Sequence, residues 1–388
     1  MHHAPHVILF TDTLADVNGV SRFIRTCAAR SRATGRALTV VTSARLPIDR
    51  EPNIRNIPPF FSTPMPGYPG MRLACPRPAR MLAPPPGPPP TAVHASTPGP
   101  VGLLGMAAAR RWRVPLVATY HTDFPAYVSR LFGDDVLADV CRAAMRAFYT
   151  RCDRVLLRSP AYRHVLRALG VPDPALIELT PGIDTTLFDP ARRDEAIWDR
   201  VAPASPPGPR VLYVGRISVE KNLARLADAW PAARARCAAR GVCPGLFVVG
   251  DGPFRAELQR RLRGHGAHVL GFRHGPELAS LYASSDLFVF PSRTDTLGQA
   301  VMEAQASGLP AIVSAAGGPA RIVAEGVTGV VVTRDSDAAW ADAIASLVRD
   351  EPRRRSMGRA AHARSRAWSF DRSFEHFMDA HENLPAPA

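Results

Sequence analysis

The feature that most limits the fold of this chain is a repeated alternation of short apolar runs with helical stretches. Runs such as VILF at residues 7–10, ALTVVTS at 37–43 and PLVATY at 115–120 alternate with helical patterns up to about residue 180. The alternation restarts at RVLYVG, residues 210–215, and continues through GLFVVG, DLFVFPS and PAIVS. Strands that alternate with helices of this length predict α/β domains, with parallel sheets covered by helices on both faces.

The two series are separated by a proline-rich break, VAPASPPGP at residues 201–209. A chain of 388 residues is too long for one ordinary core and fits two domains of roughly 150 to 200 residues. The sequence therefore predicts two doubly wound domains, an N-terminal one over residues 1–185 and a C-terminal one over 186–369. A cleft between them is then available as a site.

A second proline-rich segment lies inside the first series. Six of the seven residues from 84 to 90 are proline, so this segment cannot be helical. We expect an extended polyproline connection without a function of its own.

The composition limits the class of protein. No apolar run approaches the roughly 20 residues of a membrane span, and HVILFTD at the start is too short for the core of a signal peptide. The six cysteines show no metal-binding spacing and are predicted to be free thiols in the cytoplasm.

The net charge of +14 raises the question of an anionic partner. No stripe of interleaved aromatic and basic residues is present, which argues against nucleic acid. We expect a cytoplasmic protein. Peripheral contact with the anionic inner face of the membrane stays open as an alternative.

A pair of cations marks the first candidate site. In VLYVGRISVEKNL, a predicted strand ends at Gly215, Arg216 follows at its carboxyl end, and Lys221 is expected to open the next helix. Two cations beside a strand end and a helix start favour an anion, and a diphosphate suits the fork of Arg and the point charge of Lys. Lys221 is the only lysine in the chain, which argues against a chance placement.

The next strand is followed by two glycines, Gly250 and Gly252, and by Pro253, placed like the first residue of a helix. The glycines would let a ligand approach the backbone, and a plain tight turn is the alternative. A dinucleotide fingerprint would need a third glycine where Arg255 stands, so no nicotinamide or flavin cofactor is expected.

Two acids eight positions apart form the third candidate site. The pattern predicts a helix from about residue 296 to 307, stopped by Gly308, with Asp295 at its mouth and Glu303 two turns in. Eight steps bring the acids within roughly 80° around the axis, about 12 Å apart along it. The N-terminus of this helix, with Gly298 in its first turn, would face phosphates bound between the two acids. The alternative is that Asp295 caps the helix and Glu303 is solvated.

These residues resemble a known family. GRISVEKN, GDGP and TDTLGQAVMEAQASGLP are similar to the donor half of retaining glycosyltransferases of family 4, including its mannosyltransferase and diacylglycerol glycosyltransferase members. TDTLADVNGVSR, VHASTPGPVGLLG, VATYHTDFPAYV and TPGIDTTLFDP resemble segments of the acceptor half. The resemblance implies the GT-B fold, in which two Rossmann-like domains face a central cleft. It also implies transfer of a hexose, mannose or glucose, from a nucleotide diphosphate sugar to a lipid or polysaccharide acceptor.

The resemblance also implies roles for residues of the C-terminal half. Arg216 and Lys221 would neutralise the leaving diphosphate, and Glu303 would hold the ribose. Asp295 stands where glutamate is commoner in the family and would contact the donor sugar. The remaining implied donor-binding residues of this half are Gly250, Gly252, Thr296, Leu297 and Gly298.

In the N-terminal half, the resemblance implies that His121 lies beside the donor sugar and that Gly19 lets the first loop approach the diphosphate. His121, Asp295, Arg216 and Lys221 are thus the implied catalytic residues. Gly182 and Asp184 are weaker assignments, because Pro181 replaces an asparagine common in the family.

The resemblance implies no metal and no cofactor. The triplet DSD at residues 335–337 is interpreted as a helix cap. The final segment, residues 370–388, is predicted to be a helix that returns to the N-terminal domain, with Phe370, Phe374 and Phe377 in a packing stripe that begins at Trp368.

Two other functions remain open from the sequence. One is a catalytically idle, nucleotide-sugar-binding partner of another transferase, suggested by the 84–90 segment and the shorter acid at 295. The other is a sugar-nucleotide epimerase of the same architecture. The sequence does not determine the choice between GDP and UDP, which of the sugars is transferred, the identity of the acceptor or the oligomeric state.

Overall fold

A computed structural model describes residues 5–16, 18–45, 48, 51–65, 68–121, 123–125, 128–129 and 135–384, without the side chains of residues 64, 65, 68–73 and 135. The chain forms two compact units. The N-terminal unit contains the residues up to Thr180 together with those from Asp371 onward. The C-terminal unit runs from Pro181 to Phe370.

The N-terminal unit is built on a parallel sheet with strand order β3-β2-β1-β6-β7-β8-β9, and β4 and β5 pair as an antiparallel hairpin. The central strands are fully buried because helices cover both faces. Its strands are β1 (Val7–Thr11), β2 (Leu38–Thr42), β3 (Ile54–Asn56), β4 (Phe61–Met65), β5 (Tyr68–Cys75), β6 (Ala92–Ala95), β7 (Leu116–Tyr120), β8 (Arg154–Leu157) and β9 (Leu176–Glu178).

The C-terminal unit is built on a parallel sheet with strand order β12-β11-β10-β13-β14-β15. The order reverses between β10 and β13, and in open α/β sheets such a reversal opens a crevice at the carboxyl ends of the two strands. The strands are β10 (Arg210–Val214), β11 (Gly245–Val249), β12 (Ala267–Gly271), β13 (Leu287–Phe290), β14 (Ala311–Ser314) and β15 (Gly329–Val332).

Helices connect the strands of both sheets. They are α1 (Gly19–Thr34), α2 (Pro78–Met81), α3 (Pro100–Trp112), α4 (Asp135–Tyr149), α5 (Arg163–Ala168), α6 (Ile197–Val201), α7 (Leu223–Ala238), α8 (Arg255–Leu262), α9 (Gly275–Ala283), α10 (Gln299–Ala306), α11 (Pro319–Ile322), α12 (Asp337–Arg349), α13 (Glu351–Ser365) and α14 (Phe370–Asp379). Short 3₁₀ turns form at Pro160–Tyr162, Asp173–Ala175, Pro190–Arg192 and Val219–Lys221.

The predicted pair of doubly wound α/β domains is confirmed by these two sheets. Residues 82–90 adopt neither helix nor strand, as the prolines require. The segment is held at both ends, because His6 Nδ1 lies 2.8 Å from the Pro88 carbonyl oxygen and Trp112 Nε1 donates to the Leu82 carbonyl over 3.1 Å.

The predicted packing stripe of the last helix is observed. Phe374 and Phe377 are buried in the N-terminal unit, and Phe377 packs edge-on against Phe23 with ring centroids 5.8 Å apart. Phe370 is buried as well, and Trp368 packs against the core of the C-terminal unit. Of the helices that the structure describes, none has the length and apolar character needed to cross a membrane.

Candidate active site

The crevice between β10 and β13 collects the cations and one acid predicted from the sequence. Arg216 follows β10 after Gly215, and Lys221 ends the 3₁₀ turn Val219–Lys221. The predicted position of Lys221 at the start of the next helix is wrong, because Asn222 has a left-handed backbone (φ +56°) and α7 begins only at Leu223. Lys221 therefore lies in a loop.

Lys221 and Asp295 form an ion pair, with Nζ to Oδ1 at 2.7 Å. Their side chains are 18% and 21% exposed, so the pair is largely shielded from water. The ammonium also lies 5.9 Å from the centre of the Phe290 ring. A second contact joins the loop that carries Lys221 to the loop that carries Asp295, because the Thr294 hydroxyl donates to the Glu220 carbonyl over 3.3 Å. Two residues predicted for different parts of a ligand are thus direct partners.

The predicted helix from 296 to 307 is observed as Gln299–Ala306. It starts later because Gly298 has a left-handed backbone (φ +83°) and acts as the N-cap. Asp295 therefore lies in the loop before the helix, and the 80° rotation between the two acids does not apply. Thr296 and Leu297, which complete this loop, are both buried.

Glu303 is fully buried on α10, where the Tyr282 hydroxyl donates to Oε2 over 3.2 Å. The alternative of a solvated Glu303 is wrong. A carboxylate in such a position requires partners, since burial of an unpaired acid costs several kcal/mol. Tyr282 is one of those partners and had no signal in the sequence pattern.

Gly250 and Gly252 let two loop backbones pack together. A Cβ on Gly250 would lie 1.9 Å from the Gly215 carbonyl oxygen, and one on Gly252 would lie 2.3 Å from that of Ile217. Both glycines have positive φ, +141° and +155°. Ile217 N also donates to the Asp251 carbonyl over 2.9 Å. Pro253 precedes α8 by two residues and is not its first residue, contrary to the prediction.

The loop that carries Asp295 is supported by two glycines that lie outside the predicted site. Gly318 N donates to the Asp295 carbonyl over 2.8 Å. A Cβ on Gly317 would lie 2.9 Å from the same carbonyl oxygen, and one on Gly318 would lie 2.2 Å from that of Thr296. The pair Gly-Gly directly before Pro319, after strand β14, was the signal that could have identified them.

Tyr213 lies buried beneath the crevice. Its hydroxyl donates to the Arg216 carbonyl over 3.0 Å, and its ring stacks on that of Phe290 at 5.8 Å. Burial raises the pKa of the Tyr213 phenol well above its usual value, and the nearby carboxylates of Asp295 and Glu220 raise it further. Tyr213 is therefore a neutral donor that fixes the backbone of Arg216.

In the N-terminal unit, His121 directly follows β7. Its Nε2 lies 3.1 Å from the Ser96 hydroxyl, and its ring meets that of Phe23 edge-on at 6.4 Å. Burial lowers the pKa of His121 well below its usual value, and the charge of Arg158 lowers it further. His121 is therefore a neutral imidazole at pH 7.

The other residues selected from the sequence have structural roles here. Gly19 is the first residue of α1, which Asn18 caps by accepting from Ser21 N over 2.8 Å. Asp184 Oδ1 accepts from the backbone N–H groups of Thr186 and Leu187, which makes a turn.

The interpretation of the DSD triplet as a helix cap is correct, because Ser336 Oγ accepts from Ala339 N at the start of α12. Asp335 accepts from Arg293 over 3.2 Å. Among the residues that the structure describes, no three His, Cys, Asp or Glu side chains come together as metal ligands.

Comparison with known proteins places both units in described families. The family described as "Glycosyltransferase Family 4" matches residues 17–187, and "Glycosyl transferases group 1" matches residues 208–350. A GDP-mannose-dependent alpha-mannosyltransferase of Mycobacterium tuberculosis is 34% identical over 354 residues, 88% of this chain and 87% of that protein. Sulfoquinovosyl transferase SQD2 of Arabidopsis thaliana is 33% identical over 279 residues, 70% of this chain. The match spans about half of that protein's length, 52%.

Solved structures show the same fold. The Anabaena protein HepE, in complex with UDP and glucose, superposes with a TM-score of 0.74 at 18% identity, over 98% of this chain and 100% of that one. Sucrose-phosphate synthase from Thermosynechococcus elongatus reaches 0.74 at 21% identity, over 97% of each chain. With the mannosyltransferase relative matched over most of both lengths, the chain belongs to glycosyltransferase family 4 and is a glycosyltransferase of the GT-B fold.

Proposed function

We propose that this glycosyltransferase moves a hexose, mannose or glucose, from a nucleotide diphosphate sugar to a lipid or polysaccharide acceptor, with retention of the anomeric configuration. The observation that carries the proposal is the Lys221–Asp295 pair at the crevice where the strand order reverses, at the end of the strand that Arg216 follows. The mannosyltransferase relative, named for its use of GDP-mannose, supports mannose, and the glucose complex of HepE supports glucose.

Arg216 and Lys221 are assigned to the diphosphate. An ammonium has three N–H donors, and Asp295 Oδ1 accepts one of them. The other two can donate to phosphate oxygens while Asp295 holds the ammonium in place. The negative charge on the diphosphate grows as the bond to the sugar breaks, so fixed cations stabilise the transition state more than the bound donor. We expect this neutralisation to need no metal ion and no cofactor.

Asp295 is assigned to the donor sugar, and its ion pair argues against a role as nucleophile. The ammonium at 2.7 Å stabilises the negative charge of the carboxylate, which makes the carboxylate a weaker nucleophile. This supports a mechanism in which an oxygen of the departing diphosphate helps to deprotonate the acceptor hydroxyl. For His121 and Gly19, the assignments rest on the family resemblance.

Glu303 is assigned to the ribose. Because the side chain is fully buried and accepts from Tyr282, ribose binding requires a local rearrangement around α10. We also propose a cytoplasmic protein that contacts the anionic inner face of the membrane, which the net charge of +14 supports.

The first test is calorimetric binding of GDP and of UDP, with EDTA present, to the wild type, to Lys221→Ala and to Arg261→Ala. Arg261 pairs with Glu257 and Asp228 on α8 and α7, so its variant removes one cation outside the crevice. We expect one nucleotide to bind and the Lys221→Ala variant to lose at least about tenfold in affinity, as for a charged hydrogen bond. Arg261→Ala should bind as the wild type does.

Binding of neither nucleotide, or equal binding by Lys221→Ala, would overturn the site assignment. Donor-dependent transfer by the purified chain would then separate a transferase from an idle partner. Conversion of the donor without any acceptor would instead indicate an epimerase.

A further inference from the structure

Arg158 is a buried cation for which the described residues supply no compensating partner. It directly follows β8, and its side chain is 7% exposed. Among the described residues, the guanidinium makes no hydrogen bond and no ion pair, and Nη1 is a buried donor without an acceptor. The guanidinium lies over the Phe23 ring, whose centre is 4.3 Å from Cζ.

Arg354, another buried arginine of the described residues, shows how an arginine with a structural role is bonded. Arg354 is 6% exposed, and its Nη1 donates to the carbonyls of Leu347 and Val348, each over 2.8 Å. Arg354 therefore caps the end of α12. Arg158 donates to no backbone carbonyl of the described residues, so its burial needs another explanation.

An uncompensated buried charge destabilises a folded protein. Burial lowers the pKa of Arg158 to about 10, which still leaves the guanidinium charged at pH 7. Contact with an aromatic face stabilises the guanidinium by less than the desolvation of its charge costs. Such a residue is typical of a binding site, where stability is lost for function.

The position of Arg158 fits a ligand site. In parallel sheets, ligands bind at the carboxyl ends of the strands. Ser96 follows β6, His121 follows β7 and Arg158 follows β8, three adjacent strands of one sheet. Arg158 and His121 both contact the ring of Phe23, and the hydrogen-bonded pair of His121 and Ser96 lies at the same end of the sheet.

We propose that Arg158 binds an anionic phosphate group of the acceptor at the carboxyl ends of β6, β7 and β8. The guanidinium swings along the Phe23 ring to form a forked pair with two phosphate oxygens, the geometry that arginine favours. This names the acceptor class of the proposed transferase and in that sense rests on the proposed function. The phosphate comes from a lipid headgroup or from a soluble phosphate ester.

Stability distinguishes a binding role from a structural role. If Arg158 serves a ligand, Arg158→Met should leave the melting temperature of the free chain unchanged or raise it by about 2 °C, since an apolar side chain replaces an uncompensated charge. Arg354→Met should lower it, because two carbonyls lose their donor. A melting temperature of Arg158→Met well below that of the wild type would overturn the proposal.

The binding test uses hydrogen–deuterium exchange of peptides that cover residues 154–162, without nucleotide. The probes are sodium phosphate against sodium chloride at equal ionic strength, and vesicles of phosphatidylglycerol against phosphatidylcholine. We expect phosphate or phosphatidylglycerol to slow exchange about fivefold or more in the wild type and in Arg151→Met, and not in Arg158→Met. Arg151 is exposed, so its variant controls for the loss of one charge.

The probe that protects these peptides identifies the source of the phosphate. Arg158→Lys keeps the charge and should retain part of the protection, which guards against a folding defect in the Met variant. Protection that persists in Arg158→Met, or no protection by either probe, would overturn the proposal. Nucleotide binding by calorimetry is independent of this result, so failure of the donor site would be recognised separately.

Discussion

Lys221 and Asp295 show how much of a site is decided by a single contact. Each residue, taken alone, suggests an obvious ligand, a phosphate for the cation and a sugar hydroxyl for the acid. Paired at 2.7 Å and about four-fifths buried, they act as one unit. Aspartate at position 295 is shorter than the glutamate that is commoner in the family, and Lys221 lies close enough to pair with it. The shorter acid by itself is therefore no sign of a catalytically idle protein.

Three buried groups in the N-terminal unit form a hydrogen-bond chain whose proton positions follow from the geometry. His381 Nδ1 lies 2.7 Å from the Phe377 carbonyl, which can only accept, so this nitrogen carries the proton. His381 Nε2 must then accept from His94 Nδ1 at 2.9 Å, and His94 Nε2 accepts from the Thr119 hydroxyl at 3.0 Å. The chain is complete with both imidazoles neutral.

This chain predicts an acid-sensitive N-terminal unit. Burial lowers the pKa of His381 to about 4 and that of His94 well below its usual value. The unfolded chain takes up these protons near pH 6.5 while the folded chain does not, so the free energy of unfolding falls as the pH drops from 6.5 towards 4. We expect a loss of up to about 2 kcal/mol per histidine at pH 5, measured by urea unfolding against pH 7.5.

The matched variant is His381→Gln, which can donate to Phe377 and accept from His94 but cannot take up a proton. Its unfolding free energy should depend less on pH in this window. His164 lies on α5, outside this hydrogen-bond chain, so the pH dependence of His164→Gln should equal that of the wild type. An unchanged pH dependence in His381→Gln would contradict the assignment.

At the scale of elements, the loops at the strand ends of the C-terminal unit are held by backbone contacts that only glycine permits. The loop after β10 packs on the loop after β11 through Gly250 and Gly252, and the loop after β13 packs on Gly317 and Gly318. These contacts place Arg216 and Asp295 more firmly than loop residues usually are, which a preorganised site requires.

We therefore predict that Gly250→Ala destabilises the C-terminal unit far more than Gly241→Ala. Both glycines have positive φ, +141° and +72°, so both variants carry a backbone cost of about 1 kcal/mol. At Gly250 the new Cβ would meet a carbonyl oxygen at 1.9 Å, whereas at Gly241 the described residues other than its chain neighbours leave the space within 4 Å open. Thermal unfolding should show a fall of several degrees more for Gly250→Ala; equal falls would refute the packing role.

At the scale of the whole molecule, the N-terminal unit is discontinuous in sequence. Its last helix, α14, comes after the entire C-terminal unit and supplies the buried side chains Phe374, Phe377 and Met378. Arg36 binds the same segment through Glu375 at 2.6 Å and Glu382 at 2.7 Å. The N-terminal unit thus depends on the last residues of the chain.

Separate expression should reveal this dependence. We expect the fragment 181–370 to unfold cooperatively by circular dichroism. The fragment 1–180 should not, since each buried aromatic or Met side chain that it lacks contributes about 1.5 to 3 kcal/mol, a large part of the stability of a domain. Joining residues 371–388 to it by a flexible linker should restore a cooperative transition. Equal melting of 1–180 with and without this segment would contradict the prediction.

The sequence by itself determined the order and kind of the elements and the residues at the strand ends. Strand alternation, the cap at Ser336 and the position of Arg216 after β10 depend on neighbours within a few residues, so a local pattern suffices. The limits of this reading lay at Asn222 and Gly298, where a left-handed backbone moved a helix start.

Tertiary structure alone decided which residues meet. Lys221 and Asp295 are 74 positions apart, and His94 and His381 are 287 apart. Neither pair leaves a signal in the local periodicity of the sequence. Contacts between residues so far apart in sequence depend on strand order and on how closely two backbones can approach. The glycines that carry those approaches look, in the sequence, like ordinary turn residues. Their role can be recognised only from the positions of the neighbouring backbone atoms with which a Cβ would clash.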